Sequence, residues 1–330
     1  MPFVVKIYYY SYYVLIKYNN YNKIPAMNLM RKKKLCLLKK MTFLMTFIKR
    51  IIKKFVPYYI VIIYRKINQP KNKLLRFDLH LVDHCNLNCK GCEHFSPIAE
   101  KKFLDINIYE RDCIRLNKLT GGKIEDISLL GGEPLLHPRI IDFMSITRKY
   151  FPIGKIRIIT NGILLENQEN VFWEACKEND IQIFISVYPV NINYLNIEEK
   201  AKKFGIKLIF WGDKNNRSKR WKKLKIDITG RQSPRISNFL CYGSNYCFQL
   251  VDGKIFKCWR IAYIHHFNKT FGKELKVTNC DYFDIYKLKN IKELLDKIRK
   301  PVPFCKYCNI MHSNYDEKWE HSQKVIEEWI

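Results

Sequence analysis

From residue 74 onward the apolar residues come in short runs that suit buried strands. These are RFDLHLV (76–82), IEDISLL (124–130), KIRIIT (155–160), IQIFISV (181–187) and IKLIF (206–210), separated by polar segments of helix length. The spacing leaves room for one crossover helix between successive strands, which predicts an α/β fold with a parallel sheet and helices outside it. In such sheets functional side chains belong at the C-terminal ends of the strands. Before residue 74 the pattern is different. No apolar run there reaches the roughly 18 to 20 residues of a membrane-spanning helix. Within 41–56, Leu44, Ile48, Ile51 and Phe55 recur at helical spacing while Arg50, Lys53 and Lys54 gather elsewhere, which predicts an amphipathic basic helix ended by Pro57. Packing of that helix on the domain is the simpler assignment, and contact with an anionic membrane surface is the other.

Charge sharpens this division. The 330-residue chain has 59 Lys and Arg against 31 Asp and Glu, a formal net charge of +28. Eighteen of the basic residues precede residue 77, and the first acidic residue is Asp78. Most of the surplus therefore belongs to a Tyr-rich N-terminal extension, residues 1–73, and is weak support for a nucleic-acid partner. At 47% hydrophobic residues the rest can build a core, which excludes a disordered chain. No small-residue cleavage site marks a secretory signal, so the reading is a cytoplasmic protein, with peripheral membrane contact through the basic extension as an addition.

The 12 cysteines carry the candidate chemistry. CNLNCKGC places Cys85, Cys89 and Cys92 in a C-x3-C-x2-C arrangement just after the first strand. Three thiolates on one loop leave a metal position without a protein ligand, whereas an electron-carrying cluster or a structural zinc takes four. Gly131, Gly132, Glu133 and Pro134 follow the second strand, 39 residues after Cys92, and Thr160-Asn161-Gly162 ends the third. A glycine pair permits close backbone approach, and a carboxylate suits a cationic amine.

This series resembles the radical S-adenosylmethionine (SAM) superfamily. The resemblance implies a partial (β/α)6 TIM-like barrel. It also implies that Cys85, Cys89 and Cys92 bind three irons of a 4Fe-4S cluster whose fourth iron is chelated by SAM. Gly131, Gly132, Glu133 and Pro134 match the segment that contacts the methionyl ammonium, and Thr160 and Asn161 match an edge near the ribose and carboxylate. Many members have an aromatic residue before the third cysteine. Here it is Gly91, whose backbone alone can serve adenine, with His94 and Phe95 as candidates for the missing packing and a solvent-facing position as the other reading of His94. Ser186 and Tyr188 end the fourth strand as further pocket candidates.

A second cysteine set follows. Cys241, Cys247 and Cys258 surround an Asp252-Gly253 hairpin signal, and Cys305 and Cys308 form a C-x2-C pair. Together they look like the Twitch or SPASM extension of radical SAM enzymes, which holds auxiliary iron-sulfur clusters. Five candidates for four ligands imply one auxiliary cluster, leaving Cys241 and Cys247 undecided; a structural zinc is the alternative. Cys36, Cys113, Cys176 and Cys280 show no partner spacing and read as small buried hydrophobes.

The expected organisation is an extension at 1–73, a radical SAM core at 74–230 and an auxiliary-cluster domain at 231–330. The resemblance implies reductive cleavage of SAM to a 5′-deoxyadenosyl radical, which abstracts a hydrogen atom from a peptide or a small sugar-type or alcohol-type substrate. The electron would come from a reductant such as flavodoxin or ferredoxin. No residue is assigned as catalytic beyond the cluster and SAM. A basic, zinc-containing nucleic-acid-binding protein and an iron-sulfur electron carrier are the alternative classes; the first leaves GGEP unexplained and the second needs four ligands at the first cluster.

Overall fold

In the computed structural model, residues 74–217 and 219–330 are described. The basic extension, its helix at 41–56 and Cys36 lie outside them. The strands and helices alternate as the apolar pattern predicts: β1 (Leu74–His80), α1 (Ile106–Thr120), β2 (Ile124–Leu130), α2 (Ile140–Tyr150), β3 (Lys155–Thr160), α3 (Asn170–Glu178), β4 (Ile181–Ser186), α4 (Tyr194–Phe204) and β5 (Leu208–Trp211). β1 starts two residues earlier than the pattern suggests because Leu74 is buried and pairs with Ile124. All neighbouring pairs from β1 to β5 are parallel. Helix ends follow local chemistry. Asp105 caps α1 by accepting from the amides of Asn107 and Ile108, and Asn193 caps α4.

The remaining elements are β6 (Arg220–Ile226), α5 (Pro234–Leu240), α6 (Gly243–Tyr246), β7 (Phe248–Val251), β8 (Lys254–Phe256), α7 (Trp259–Phe271), β9 (Tyr282–Asp284), α8 (Ile291–Ile298) and β10 (Cys308–Lys318). The turn at Asp252-Gly253 joins β7 to β8 as an antiparallel hairpin, as the sequence predicts. That hairpin does not stand apart. β7 runs parallel to β1, so one eight-stranded sheet has the order β5-β4-β3-β2-β1-β7-β8-β9. The sixth parallel strand thus comes from beyond residue 230 and sits beside β1 rather than after β5. The sheet stays open among the described residues, with β5 and β9 as its two edges.

The pairing has a physical cause. β1 is buried on both faces by Phe77 and Leu79 on one hand and the polar Asp78 and His80 on the other. A central position needs hydrogen-bonded strands on both sides, and β2 and β7 supply them. Gln249 on β7 donates to Asp78 Oδ2 at 3.2 Å, and Arg76 donates to Asp78 Oδ1 at 2.9 Å, which satisfies the buried carboxylate. The main core joins Phe77, Ile127, Leu129, Ile156, Ile158 and Ile183 of the sheet to Tyr109, Phe143 and Trp173 of the outer helices. Each such side chain contributes about 1.5–3 kcal/mol of burial. A second core collects Phe95, Phe256, Ile261, Phe267, Phe304 and Trp329 around α7. No helix among the described residues is long and apolar enough to cross a membrane.

Candidate cluster and cofactor sites

Cys85, Cys89 and Cys92 lie on the loop that leaves β1. Their thiols are near enough to feel one another electrostatically, and burial is the largest influence on each. It pushes all three upward, Cys89 to about 12. As bare thiols they hold their protons at neutral pH; the positive charge of a metal centre turns them into ligands. Donors already face the sulfurs. The Leu87 amide is 3.3 Å from Cys85 Sγ, Trp319 Nε1 is 3.2 Å from Cys89 Sγ, and Asn161 Nδ2 is 3.7 Å from Cys85 Sγ. Tyr188 also hydrogen-bonds to Cys89 and packs edge-on against Trp319. Such contacts stabilise thiolate charge, so the residues present fit an iron-sulfur cluster.

The second and third strand ends close on this loop. Gly132 N donates to Val82 O at 2.6 Å and Glu133 N to His84 O at 3.2 Å, so the GGEP segment zips onto the entry of the cysteine loop. A Cβ on Gly132 would overlap the His84 carbonyl. Pro134 opens a short 3-10 turn to Leu136. The Glu133 carboxylate is fully buried and accepts from Leu135 N at 3.1 Å, Thr160 Oγ1 at 2.6 Å and Asn161 N at 2.9 Å. Asn161 in turn donates to Asn86 Oδ1 at 2.7 Å. Cys85, Glu133, Thr160 and Asn161 are thereby one connected group, while Ser186 ends β4 opposite Trp211 with no hydrogen bond to that group.

Despite three donors, burial raises the pKa of Glu133 to about 7. Among the described residues no basic side chain forms a salt bridge with it, which makes this carboxylate a natural seat for a ligand ammonium. A raised folded-state value means that stability is fully present below pH 4.5 and falls as pH rises toward 7, by roughly 3 kcal/mol in all. Urea denaturation of the cluster-free protein at pH 5 and pH 8 should show that loss, and Glu133→Gln should remove most of the difference. Equal pH dependence in the variant would assign it elsewhere.

Two expectations about the loop are corrected. Phe95 is not available to a cofactor: it is fully buried against Phe267 and Trp329, at ring distances of 6.0 and 6.2 Å. His94 does not face solvent as a free loop residue; it stacks on His80 at 5.1 Å and on Trp259 at 5.9 Å. Cys280 is corrected too, being exposed, whereas Cys113 and Cys176 are buried as expected.

The C-terminal tail is the feature that sequence reading missed. Residues 319–329 run over the cysteine loop: Lys90 N donates to Glu320 O, Ser322 N to Asn88 O, Gly91 N to Glu328 Oε2 at 3.2 Å, and Trp329 Nε1 to Cys92 O at 2.8 Å. Tryptophans at 319 and 329 were the available signal, since a polar N–H on a buried aromatic needs a partner. This tail also accounts for the glycine before the third cysteine. Gly91 has φ +63° and a Cβ there would lie 2.6 Å from Glu328 O. Gly91→Ala should therefore destabilise by at least about 1–2 kcal/mol through the left-handed backbone alone. A urea midpoint unchanged from wild type would refute the contact.

In the C-terminal set, Cys258, Cys305, Cys308 and Cys241 feel one another electrostatically, and burial raises Cys305 to about 12 and Cys308 to about 11. Cys247 couples to Cys241 but more strongly to Asp78 and Arg76, beneath β1. Arg260 is 3% exposed, with Nη1 3.9 Å from Cys308 Sγ, and the buried Lys257 ammonium acts on Cys305. Two buried cations beside four thiols suit an anionic metal-thiolate centre.

The sequence family described as "4Fe-4S single cluster domain" matches residues 75–198, the span that holds Cys85 through Asn161. Residues 75–198 are thus similar to a 4Fe-4S cluster domain, in agreement with the three-thiol loop they contain. A GTP 3',8-cyclase of Alkaliphilus oremlandii is 30% identical over 114 residues, 34% of this chain and 34% of its own length. An S-adenosylmethionine-dependent nucleotide dehydratase of Selenomonas ruminantium is 35% identical over 94 residues, 28% of this chain and 31% of its own. The chain thus matches about one third of the length of these curated relatives. Among solved structures, BtrN in complex with AdoMet and 2-DOIA aligns with 72% of this chain and 93% of its own, at 16% identity and a TM-score of 0.47.

Proposed function

We propose that this protein is a radical SAM enzyme that abstracts a hydrogen atom from a peptide or small-molecule substrate. Its second iron-sulfur cluster would be held by Cys241, Cys258, Cys305 and Cys308. One observation supports the reading above others: Asn161 reaches Cys85 with its side chain and Glu133 with its amide, tying the cysteine loop to a buried carboxylate. When bound, the reduced cluster and SAM supply the 5′-deoxyadenosyl radical. Glu133 would hold the ammonium of SAM, while Thr160 and Asn161 fix that carboxylate and the Leu87 and Trp319 donors hold the sulfurs. Tyr188, Trp319 and Leu87 pack around Cys89 and exclude water from the loop.

The electron would come from a flavodoxin-type or ferredoxin-type reductant, as suits a cytoplasmic location. Because the curated relatives are named for nucleotide chemistry, nucleotides are the first substrates to test. Anaerobic reconstitution should give about eight irons per chain. Addition of reductant and SAM should then release 5′-deoxyadenosine. Zinc in place of iron at both sites, with no SAM cleavage, would overturn the proposal.

A further inference from the structure

One group of ligating side chains has no part in the chemistry above. Asp83, between β1 and Cys85, and His265 and His266 on α7 bring one carboxylate oxygen and two ring nitrogens within 4.8 Å of one another. Asp83 and His266 are buried, at 8% and 7% exposure, and His265 is exposed. His266 Nε2 lies 3.4 Å from Asp83 Oδ2, an ion-pair contact between the two buried side chains. The other carboxylate oxygen is held in place: His80 Nδ1 is 3.1 Å from Asp83 Oδ1, and the His80 ring packs on Tyr263 with centroids 4.0 Å apart.

We propose that Asp83, His265 and His266 form a binding site for a divalent transition-metal ion, best suited to zinc, that is separate from both cysteine sets. Two imidazoles and one carboxylate match the ligand preference of such ions, whereas magnesium and calcium favour all-oxygen surroundings. Metal-ligand bonds of about 2.0–2.2 Å put neighbouring ligand atoms roughly 3.3 Å apart in tetrahedral geometry. Asp83 and His266 already have that separation, at 3.4 Å. The His265 ring packs on His266 with centroids 4.0 Å apart, and a change of its rotamer would close the remaining gap. His80, with Nδ1 protonated, orients the carboxylate from behind, as outer partners of metal ligands do. Three protein ligands leave one position open, on the solvent side beside His265. That is the arrangement of a site that takes water or an oxygen of a small molecule, not of a closed structural zinc. The site ties the loop entering the first cysteine set to the helix that follows Cys258.

The test uses the full-length, iron-reconstituted protein, cleared of loose metal with a chelator and dialysed against zinc. Zinc and iron are then counted in the same sample. The expected result is about one zinc per chain with iron unchanged. His265→Ala and His266→Ala should abolish the bound zinc, and His80→Gln should weaken it roughly tenfold. His265 is exposed, so its variant tests the site without disturbing the core. Three results would each overturn the proposal: no zinc above background in iron-replete protein, zinc gained with a matching loss of iron, or zinc held as tightly by His265→Ala as by wild type. These readouts do not depend on SAM cleavage.

Discussion

Cys89→Ala is expected to abolish 5′-deoxyadenosine formation and to lower reconstituted iron by about four per chain. Cys85→Ala and Cys92→Ala should do the same. The reason is the ligand count. With three protein thiols and one position left for SAM, as proposed, loss of any thiol would remove the cluster's hold on a second iron, and no other cysteine lies on this loop. Cys89 is also the sulfur that Trp319 and Tyr188 address, but the tail keeps its other bonds to the loop when that sulfur is removed. Thermal unfolding of the cluster-free variant separates the two effects. A Cys→Ala change adds little cavity, and the cluster-free variant should melt close to the cluster-free wild type. A variant that still cleaves SAM at a measurable rate would remove this loop from the chemistry.

Cys308→Ala and Cys247→Ala are expected to part company. The first should lose about four irons while keeping the first cluster; the second should keep about eight. This contrast follows from grouping. Cys308 sits among Cys241, Cys258 and Cys305 beside the Arg260 guanidinium, whereas Cys247 is turned toward Arg76 and Asp78 at the start of the β1–β7 pairing. Removing Cys308 also leaves the buried Arg260 without its neighbouring thiolate, which adds a stability loss of a few kcal/mol once the cluster has formed. Iron analysis with anaerobic electron paramagnetic resonance of the reduced protein distinguishes one cluster from two. Loss of about four irons in both variants would make Cys247 a ligand after all, and about eight retained in both would remove Cys308 from the set.

Much of the fold and half of the site were legible in the residues. KIRIIT and IEDISLL coincide with β3 and β2 because short apolar runs bounded by polar segments bury best as strands under the outer helices. Cys85, Glu133, Thr160 and Asn161 could be brought together on paper because parallel strands carry their C-terminal ends to one edge. Phe95 was misread for the opposite reason. It lies next to the cysteines in sequence, but its backbone, at φ 60°, turns its side chain into the core around α7. Nothing in the local pattern distinguishes a phenyl ring facing a cofactor from one facing Trp329.

By itself, the sequence determined the β/α order, the three-thiol loop and the glycine-rich strand exit, since each rests on spacing within a few tens of residues. Tertiary structure alone decided that Cys258, Cys305, Cys308 and Cys241 interact, why glycine precedes Cys92, and how Asp83 meets His265 and His266. Those facts depend on pairings between residues some 60 to 240 positions apart: β7 beside β1, β10 beside β6, and the tail across the cysteine loop. The free energy that selects such contacts comes from burial and hydrogen-bond satisfaction of the whole unit, and no local stretch of chain encodes it.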